Sequence, residues 1–487
     1  MDKLIDLLFG FALLLVILTV ATDPFTSVHL TLAFLFLIAI AFNQYDYRRN
    51  TGISPMLSLQ VGLTFALGTI LIVLVVGGLG FRTLEVVAVF VILLAFVLAR
   101  DDLPRVLPTM APYLAAFAVV FLVFLHHSRE FGAGSGTGLF PVLAGIVLAL
   151  NLFAIPRYVS VDAVYWSTTL LASATALLGL AALWIGEYSF WLFEVRTWTA
   201  STSLPLSDRE FPVIRSIFGN PNTFGVLLFP GTVAAYVLSH RTIRSRHVFA
   251  AVPVLAFLVL ALALYFSNSR ASMLGAAVAI AVYTLAAADR RLLPVALAGV
   301  ALGVPIGLTL VYLSILPIDP ANRFELWRAS VEAVRAEGSL LGDGIISTRE
   351  AIEPYITEDI GAFTSHNSYL SVFIRAGILG GLAYAVLVLG PLVQSLVQFE
   401  RVDSGMVALA TGFAVHQLFE GYTLFQFGPG SVLGALALGY VIASLAGVES
   451  PSDSMAETSA ETGAPSSEGF SYGTDMAYRT EGRDGRR

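Results

Sequence analysis

The chain has 487 residues, 57% of them hydrophobic and 13% charged, with a formal net charge of −7. A soluble protein of this length needs far more charge to cover its surface, and an acidic balance argues against nucleic acid as a partner. There is no cysteine, which excludes disulfides, thiolate metal sites and a cysteine nucleophile.

Apolar runs of membrane-spanning length recur along nearly the whole chain. They lie near 4–20, 27–42, 55–77, 83–99, 110–125, 138–154, 163–184, 222–239, 248–266, 271–288, 292–315, 368–398, 405–421 and 426–447, about 14 in all. The first run carries no small-residue cleavage site and reads as an anchor. The expected fold is all-α: a polytopic integral membrane protein with about 14 transmembrane helices and a large external loop before helix 12. The membrane domain is expected over 1–447. Residues 448–487 are rich in Ser, Glu, Gly, Thr and Asp; with too few aliphatics to pack, they are expected to form a disordered acidic tail.

With the N-terminus in the cytoplasm, the even-numbered connections carry Arg48, Arg49, Arg100, Arg105, Arg157, Arg241, Arg244, Arg246, Arg290, Arg291 and Arg401. The short odd-numbered connections carry Arg82, Arg129 and Arg270. This is the positive-inside pattern. It puts both termini in the cytoplasm and the two long connections, about 185–221 and 316–367, outside the cell membrane.

In a chain that otherwise returns through short turns, a loop of about 50 residues implies function. Within it, Phe324, Trp327, Val331 and Val334 recur at helical spacing over 321–336, so a helix is expected to rest this stripe on the membrane surface, its arginines at headgroup depth. Gly338, Gly342 and Gly344 then break it.

Where that loop meets helix 12 stands His366, a side chain readily poised to take a proton near neutral pH. The plainer alternative is a capping or interfacial histidine, and Asn367 beside it suits the helix cap. Arg215, Arg270 and Arg323 each lie near the external mouth of a different span. A guanidinium binds phosphate oxygens through two parallel hydrogen bonds and keeps its charge, although snorkelling to lipid headgroups is the simpler role. Gly219-Asn220-Pro221-Asn222 reads as a turn and a helix start whose free amides suit a phosphate. Arg375 lies inside helix 12 and Glu420 near the outer end of helix 13 beside His416; they read either as cavity-facing charges or as an ion pair with each other. His126 and His127 read as solvated, with too few neighbouring ligands for a metal pair.

Together these residues resemble the O-antigen ligase and polymerase superfamily, membrane glycosyltransferases that move glycans from a polyprenyl diphosphate. His366-Asn367, nine residues, Gly377, two residues and Gly380 resemble the family's terminal-loop motif. Arg323 and Trp327 resemble its Arg-plus-Trp stretch, with Arg328 nearby. Asn220-Pro221-Asn222, with Arg215 just upstream, resembles its Asn-Pro-Asn helix start, and Ser269-Arg270 its Ser-Arg after an apolar span. The order and spacing match over about 210–385, whereas the first 200 residues match only as hydrophobic spans. About 14 spans exceed the roughly twelve associated with the family's ligases.

The resemblance implies transfer of a saccharide from a polyprenyl or dolichyl diphosphate to a glycan, lipid or protein acceptor on the outer face, without metal or cofactor. It implies that His366 deprotonates the acceptor and that Arg215, Arg270 and Arg323 hold the diphosphate. Asn220, Asn222, Trp327, Arg328, Asn367, Arg375 and Glu420 are candidate supporting residues. A lipid-linked glycan polymerase and a protein O-oligosaccharyltransferase differ only in acceptor. The non-enzyme alternative, a transporter or flippase of lipid-linked sugars, predicts polar residues distributed along many spans.

Overall fold

A computed structural model describes residues 110–127, 140–158, 161–190, 193–203, 210–246, 250–316, 322–344, 348–357, 364–426 and 428–447. The four apolar runs expected before residue 100 and the expected tail at 448–487 lie outside the described residues.

The described chain is mostly helical. α1 (Ala111–His126) is followed by α2 (Phe140–Ala149), which runs through a π-helical turn (Leu150–Ala154) into α3 (Ile155–Tyr158). After α4 (Val161–Ile185) come β1 (Tyr188–Phe190), β2 (Phe193–Ser203) and β3 (Glu210–Ser216). Then follow α5 (Pro221–Arg244), α6 (Ala251–Phe266), α7 (Arg270–Ala288) and α8 (Leu292–Tyr312). The long loop holds α9 (Arg323–Glu337) and α10 (Thr348–Ile352). The chain closes with α11 (Ser368–Val397), α12 (Ser404–His416) and α13 (Pro429–Leu445).

Among these, α4, α5, α7, α8 and α11 hold segments long and apolar enough to cross a membrane; α1, α6, α12 and α13 are apolar but shorter. Because successive crossings alternate in direction, the described residues of the connections at 186–220, 267–269, 313–367 and 417–428 gather at one end of the bundle, here the loop end.

Helices that are apolar all round belong at the centre of a bundle, and α5, α12 and α13 are buried on every side. Glycine permits their close approach: a Cβ on Gly412 of α12 would lie 2.7 Å from the carbonyl oxygen of Gly275 on α7. At the end opposite the loops, Arg241 of α5 donates to Asp162 of α4 and to Asp403, each at 2.6 Å. Asp403 also accepts from Tyr165 at 2.8 Å and caps α12 through the Met406 amide. One carboxylate thus ties three elements together.

The connection at 185–221 departs from the expected all-α fold. It folds as an antiparallel sheet in the order β1-β2-β3, with Val195, Val213 and Ile214 turned inward. Val195, Thr197 and Val213 favour extended backbone through their branched Cβ, a signal too short to register between two apolar spans.

α9 forms over the expected residues but buries a different stripe. Leu326, Ala329 and Ala333 pack against Ala351 and Ile352 of α10 and Ile374 of α11. Their small size brings the helix close to the protein, while Phe324 and Trp327 join Tyr312 and Phe419 in an aromatic cluster. His127 is not simply solvated: its Nε2 lies 3.1 Å from the Leu341 carbonyl oxygen.

Candidate active site

α11 is two half-helices. Gly377 adopts φ 65°, ψ −167° inside it, a conformation that strains any residue with a side chain. The break exposes carbonyls on one side and amides on the other, and the loop after α9 supplies their partners. Asp343 and Gly344 amides donate to the carbonyls of Ile374 (3.3 Å) and Arg375 (3.0 Å). The Ile378 and Leu379 amides donate to Ser339 (3.3 Å) and Leu340 (3.1 Å). This backbone clasp fastens the loop to the broken helix. It supplies the physical reason for a glycine after the nine residues that follow His366-Asn367.

His366 sits immediately before α11 with φ 44°, in the left-handed region. Such backbone costs about 1–3 kcal/mol and persists only where the surroundings enforce it. Here they do. Asn367 caps α11 by accepting from the Leu370 amide at 3.0 Å, as its position suggested. The Ser368 amide donates to the Gln417 carbonyl at 2.8 Å, and its hydroxyl donates to the carbonyls of Glu420 and Tyr422. The histidine is therefore held against the 417–422 connection; a Cβ on Gly421 would lie 3.9 Å from its Cα. Burial, and then the nearby Arg323 charge, hold its imidazole below the usual histidine range.

Arg323 opens α9, donating through Nε to the Phe419 carbonyl at 3.2 Å. Its Nη2 lies 3.7 Å from Glu420 Oε1, a distance for an ion pair and not a hydrogen bond. Glu420 therefore pairs with Arg323; it makes no ion pair with Arg375. Burial pushes the Glu420 carboxyl up to about 7 against the opposing pull of Arg323. Arg375 is buried on the first half of α11, its Nε without a hydrogen-bond partner and its carbonyl inside the clasp.

Arg270 starts α7. Arg270, Arg323, Trp327 and Phe419 line the loop end of one cavity of about 710 Å³. Neither Arg215 nor His366 is among the residues lining it. Arg215 lies one residue before the end of β3, with its guanidinium 5.6 Å from the Trp198 ring centroid and donating to the Gly219 carbonyl at 2.8 Å. That places it at the turn where Asn220 caps α5, accepting from the Thr223 amide at 2.8 Å, with Pro221 in the first turn and Asn222 beside it.

Arg328 is consumed inside the loop and does not reach toward headgroups. It bonds Glu325 at 2.6 and 2.8 Å, Glu332 at 2.7 Å and the Tyr355 carbonyl at 2.9 Å. These bonds, with those from Thr357, pull the Glu325 carboxyl down to about 2. Its role is to brace α9 against the turn at 353–357.

A buried chain of polar contacts links the arginine-bearing elements, and motif reading passed over most of it. Ser269 donates to Ser272 at 2.9 Å, Ser272 lies 3.0 Å from His416 Nε2, and His416 Nδ1 lies 3.1 Å from the Tyr422 hydroxyl. The spacing of Ser269 and Ser272, three apart at the start of α7, was its only local signal. Gly225 of α5 leaves the room that Ser269 occupies.

The comparison with curated proteins finds no match for the chain. Residues 255–385, from α6 through the broken half of α11, match a family model described as O-antigen ligase. That stretch carries Arg270, Arg323, His366 and the Gly377 break, and the match supports the resemblance of this region to the O-antigen ligase and polymerase superfamily.

Proposed function

We propose that the protein transfers a saccharide from a polyprenyl or dolichyl diphosphate to an acceptor at the loop end of the bundle, on the outer face of the cell membrane. His366 takes the proton of the acceptor hydroxyl as its oxygen attacks the anomeric carbon. The bond from that carbon to the diphosphate breaks, and the lipid diphosphate leaves with both bonding electrons. Arg270 and Arg323 neutralise the charge that develops on it, with Arg215 approaching from the sheet. Trp327 and Asn367 shape the site around them, while Asn220 and Asn222 order the α5 start.

One observation carries this reading: two arginines from different helices share the mouth of an apolar cavity, and Arg323 also lowers the pKa of a histidine held in strained backbone. The test is purified protein with a lipid diphosphate glycan and a panel of lipid, glycan and peptide acceptors. Transfer to one acceptor class, undiminished by a chelator, is expected. Movement of the lipid-linked glycan across a vesicle membrane without transfer would establish the transporter instead.

A further inference from the structure

Arg323 already has an anionic partner. Its Nη2 lies 3.7 Å from Glu420 Oε1, and the two side chains are only 20% and 12% exposed, so water screens them poorly. At that distance the pair attracts without a hydrogen bond. Glu420 Oε1 is buried and finds no hydrogen-bond partner among the described residues. An ionised carboxylate held this way depends on the Arg323 charge to offset the water it has lost.

The two partners are placed differently. Arg323 lines the cavity together with Arg270, and Glu420 is not among the lining residues. The backbone of Glu420 is pinned: its carbonyl accepts from the Ser368 hydroxyl at 2.7 Å, and the Phe419 carbonyl before it accepts from Arg323 Nε at 3.2 Å. The carboxylate is therefore not free to follow the guanidinium toward a ligand. Around it stand His366 ahead of α11 and Tyr422, which is bonded to His416 at the end of α12, with Tyr369 and Tyr384 of α11 beyond. Arg328 is engaged by Glu325 and Glu332. Among these groups, Arg323 is the charge that acts on the Glu420 carboxyl, opposing the burial that raises it.

Resting on the glycosyl-transfer reading above, we propose that Glu420 is the resident counter-ion of Arg323, that the donor diphosphate displaces it, and that donor binding therefore takes up a proton from solvent onto Glu420. A diphosphate offers the guanidinium short, paired, charge-assisted hydrogen bonds, where Glu420 offers one loose contact. As Arg323 engages the donor, Glu420 keeps its burial, loses its cation and gains a nearby anion; all three favour the protonated form. Its carboxyl, at about 7 with Arg323 in place, moves higher. Above that pH the free protein holds Glu420 ionised and the complex holds it protonated, so affinity falls as pH rises; below it Glu420 is protonated in both and affinity is flat. When the lipid diphosphate departs, Arg323 returns to Glu420 and the proton is released. The exchange spares the protein an uncompensated buried charge in either state.

The experiment titrates the full chain, in nanodiscs of uncharged lipid, with a polyprenyl diphosphate disaccharide and no acceptor. The diester phosphates of this probe do not titrate near neutrality, so any proton exchanged belongs to the protein. Calorimetry at about pH 7.5 in two buffers of different ionisation heat counts the protons. The wild-type chain should take up about 0.5 to 1 proton per donor bound, and its Kd should rise by up to about tenfold per pH unit above that pH. Glu420→Gln, neutral and of the same shape, should take up none, bind with a Kd independent of pH, and bind about tenfold more tightly than wild type at about pH 8.5. His366→Gln should keep the uptake. Binding by wild type without proton uptake, uptake that survives Glu420→Gln, uptake lost in His366→Gln, or weaker binding by Glu420→Gln at the higher pH would each overturn the proposal. If Glu420→Gln does not fold, the wild-type proton count and pH slope decide alone. Absence of donor binding at every pH overturns the glycosyl-transfer reading and this inference with it, while binding without proton uptake overturns this inference alone.

Discussion

Gly342 and Gly377 meet backbone to backbone: a Cβ built on either would collide with the amide nitrogen of the other. Both have positive φ, 74° and 65°. The contact is the centre of the clasp that joins the long loop to the broken α11, and it positions the segment that carries His366.

Gly377→Ala adds overpacking, typically about 1–3 kcal/mol, to the cost of a strained backbone. Thermal unfolding in detergent, followed by fluorescence-detected size exclusion, should show a lower midpoint and loss of transfer. Gly428→Ala is the control: φ there is −176° and nothing lies within 4 Å among the described residues, so no shift is expected.

His366→Asn tests the base more cleanly than His366→Ala, because asparagine tolerates left-handed backbone. Transfer should fall about 10²- to 10⁴-fold while donor binding stays close to wild type. Arg323→Ala should weaken both, and Arg323→Lys should restore only part, since an ammonium lacks the planar fork. Single-turnover transfer and donor binding, measured side by side, separate the outcomes. Near wild-type transfer by His366→Asn would leave this histidine as part of the helix start only.

The imidazole of His366 lies below its ordinary pKa, so its neutral, proton-accepting form persists to lower pH. The acidic limb of kcat/KM should therefore fall below about pH 6.5, the unperturbed value. An acidic limb clearly above that would assign the limb to another group.

Glu420 behaves oppositely. Its folded-state value, about 7, lies above the unfolded carboxyl near 4.5. The stabilisation from its protonated form is fully present below about pH 4.5 and is lost as pH rises through about 7. Glu420→Gln should flatten the stability profile across that window and raise the unfolding midpoint at pH 8, with a shift worth up to about 3 kcal/mol. An unchanged profile would show that the Arg323 pair, at 3.7 Å, dominates over burial.

Asp403→Ala removes the cap of α12 and the acceptor for Tyr165 and Arg241, leaving Arg241 with Asp162 alone. Breaking a largely buried pair costs about 3 kcal/mol. A double-mutant cycle with Arg241→Met should give a coupling of about 1 kcal/mol or more. Because this cluster lies at the end opposite the loops, whatever protein remains folded should transfer at the wild-type rate.

Within the described residues, membrane helices were legible from hydropathy because hydrocarbon thickness acts on each segment separately. The run read at 163–184 is α4 (Val161–Ile185), and that at 271–288 is α7 (Arg270–Ala288). Caps were legible for the same reason: Asn220 and Asn367 act on amides three residues away. The strands at 188–216 were not, because pairing between separate segments decides them, and their alternation is short.

Charge pairing also lay beyond local pattern. Arg375 and Glu420 looked like partners by depth, yet α9 delivers Arg323 to Glu420 from almost a hundred residues away. The glycines of the terminal-loop motif showed only a spacing; tertiary structure gives Gly377 its reason, a second backbone crossing where a side chain would stand. Sequence alone determined which segments are apolar enough for the membrane and which residues are candidates for chemistry, since both are properties of single residues and their near neighbours. Only the tertiary structure decided which charges meet, which face of α9 is buried and that Arg270 and Arg323 share one mouth, because long-range packing selects among contacts that local preference leaves equivalent.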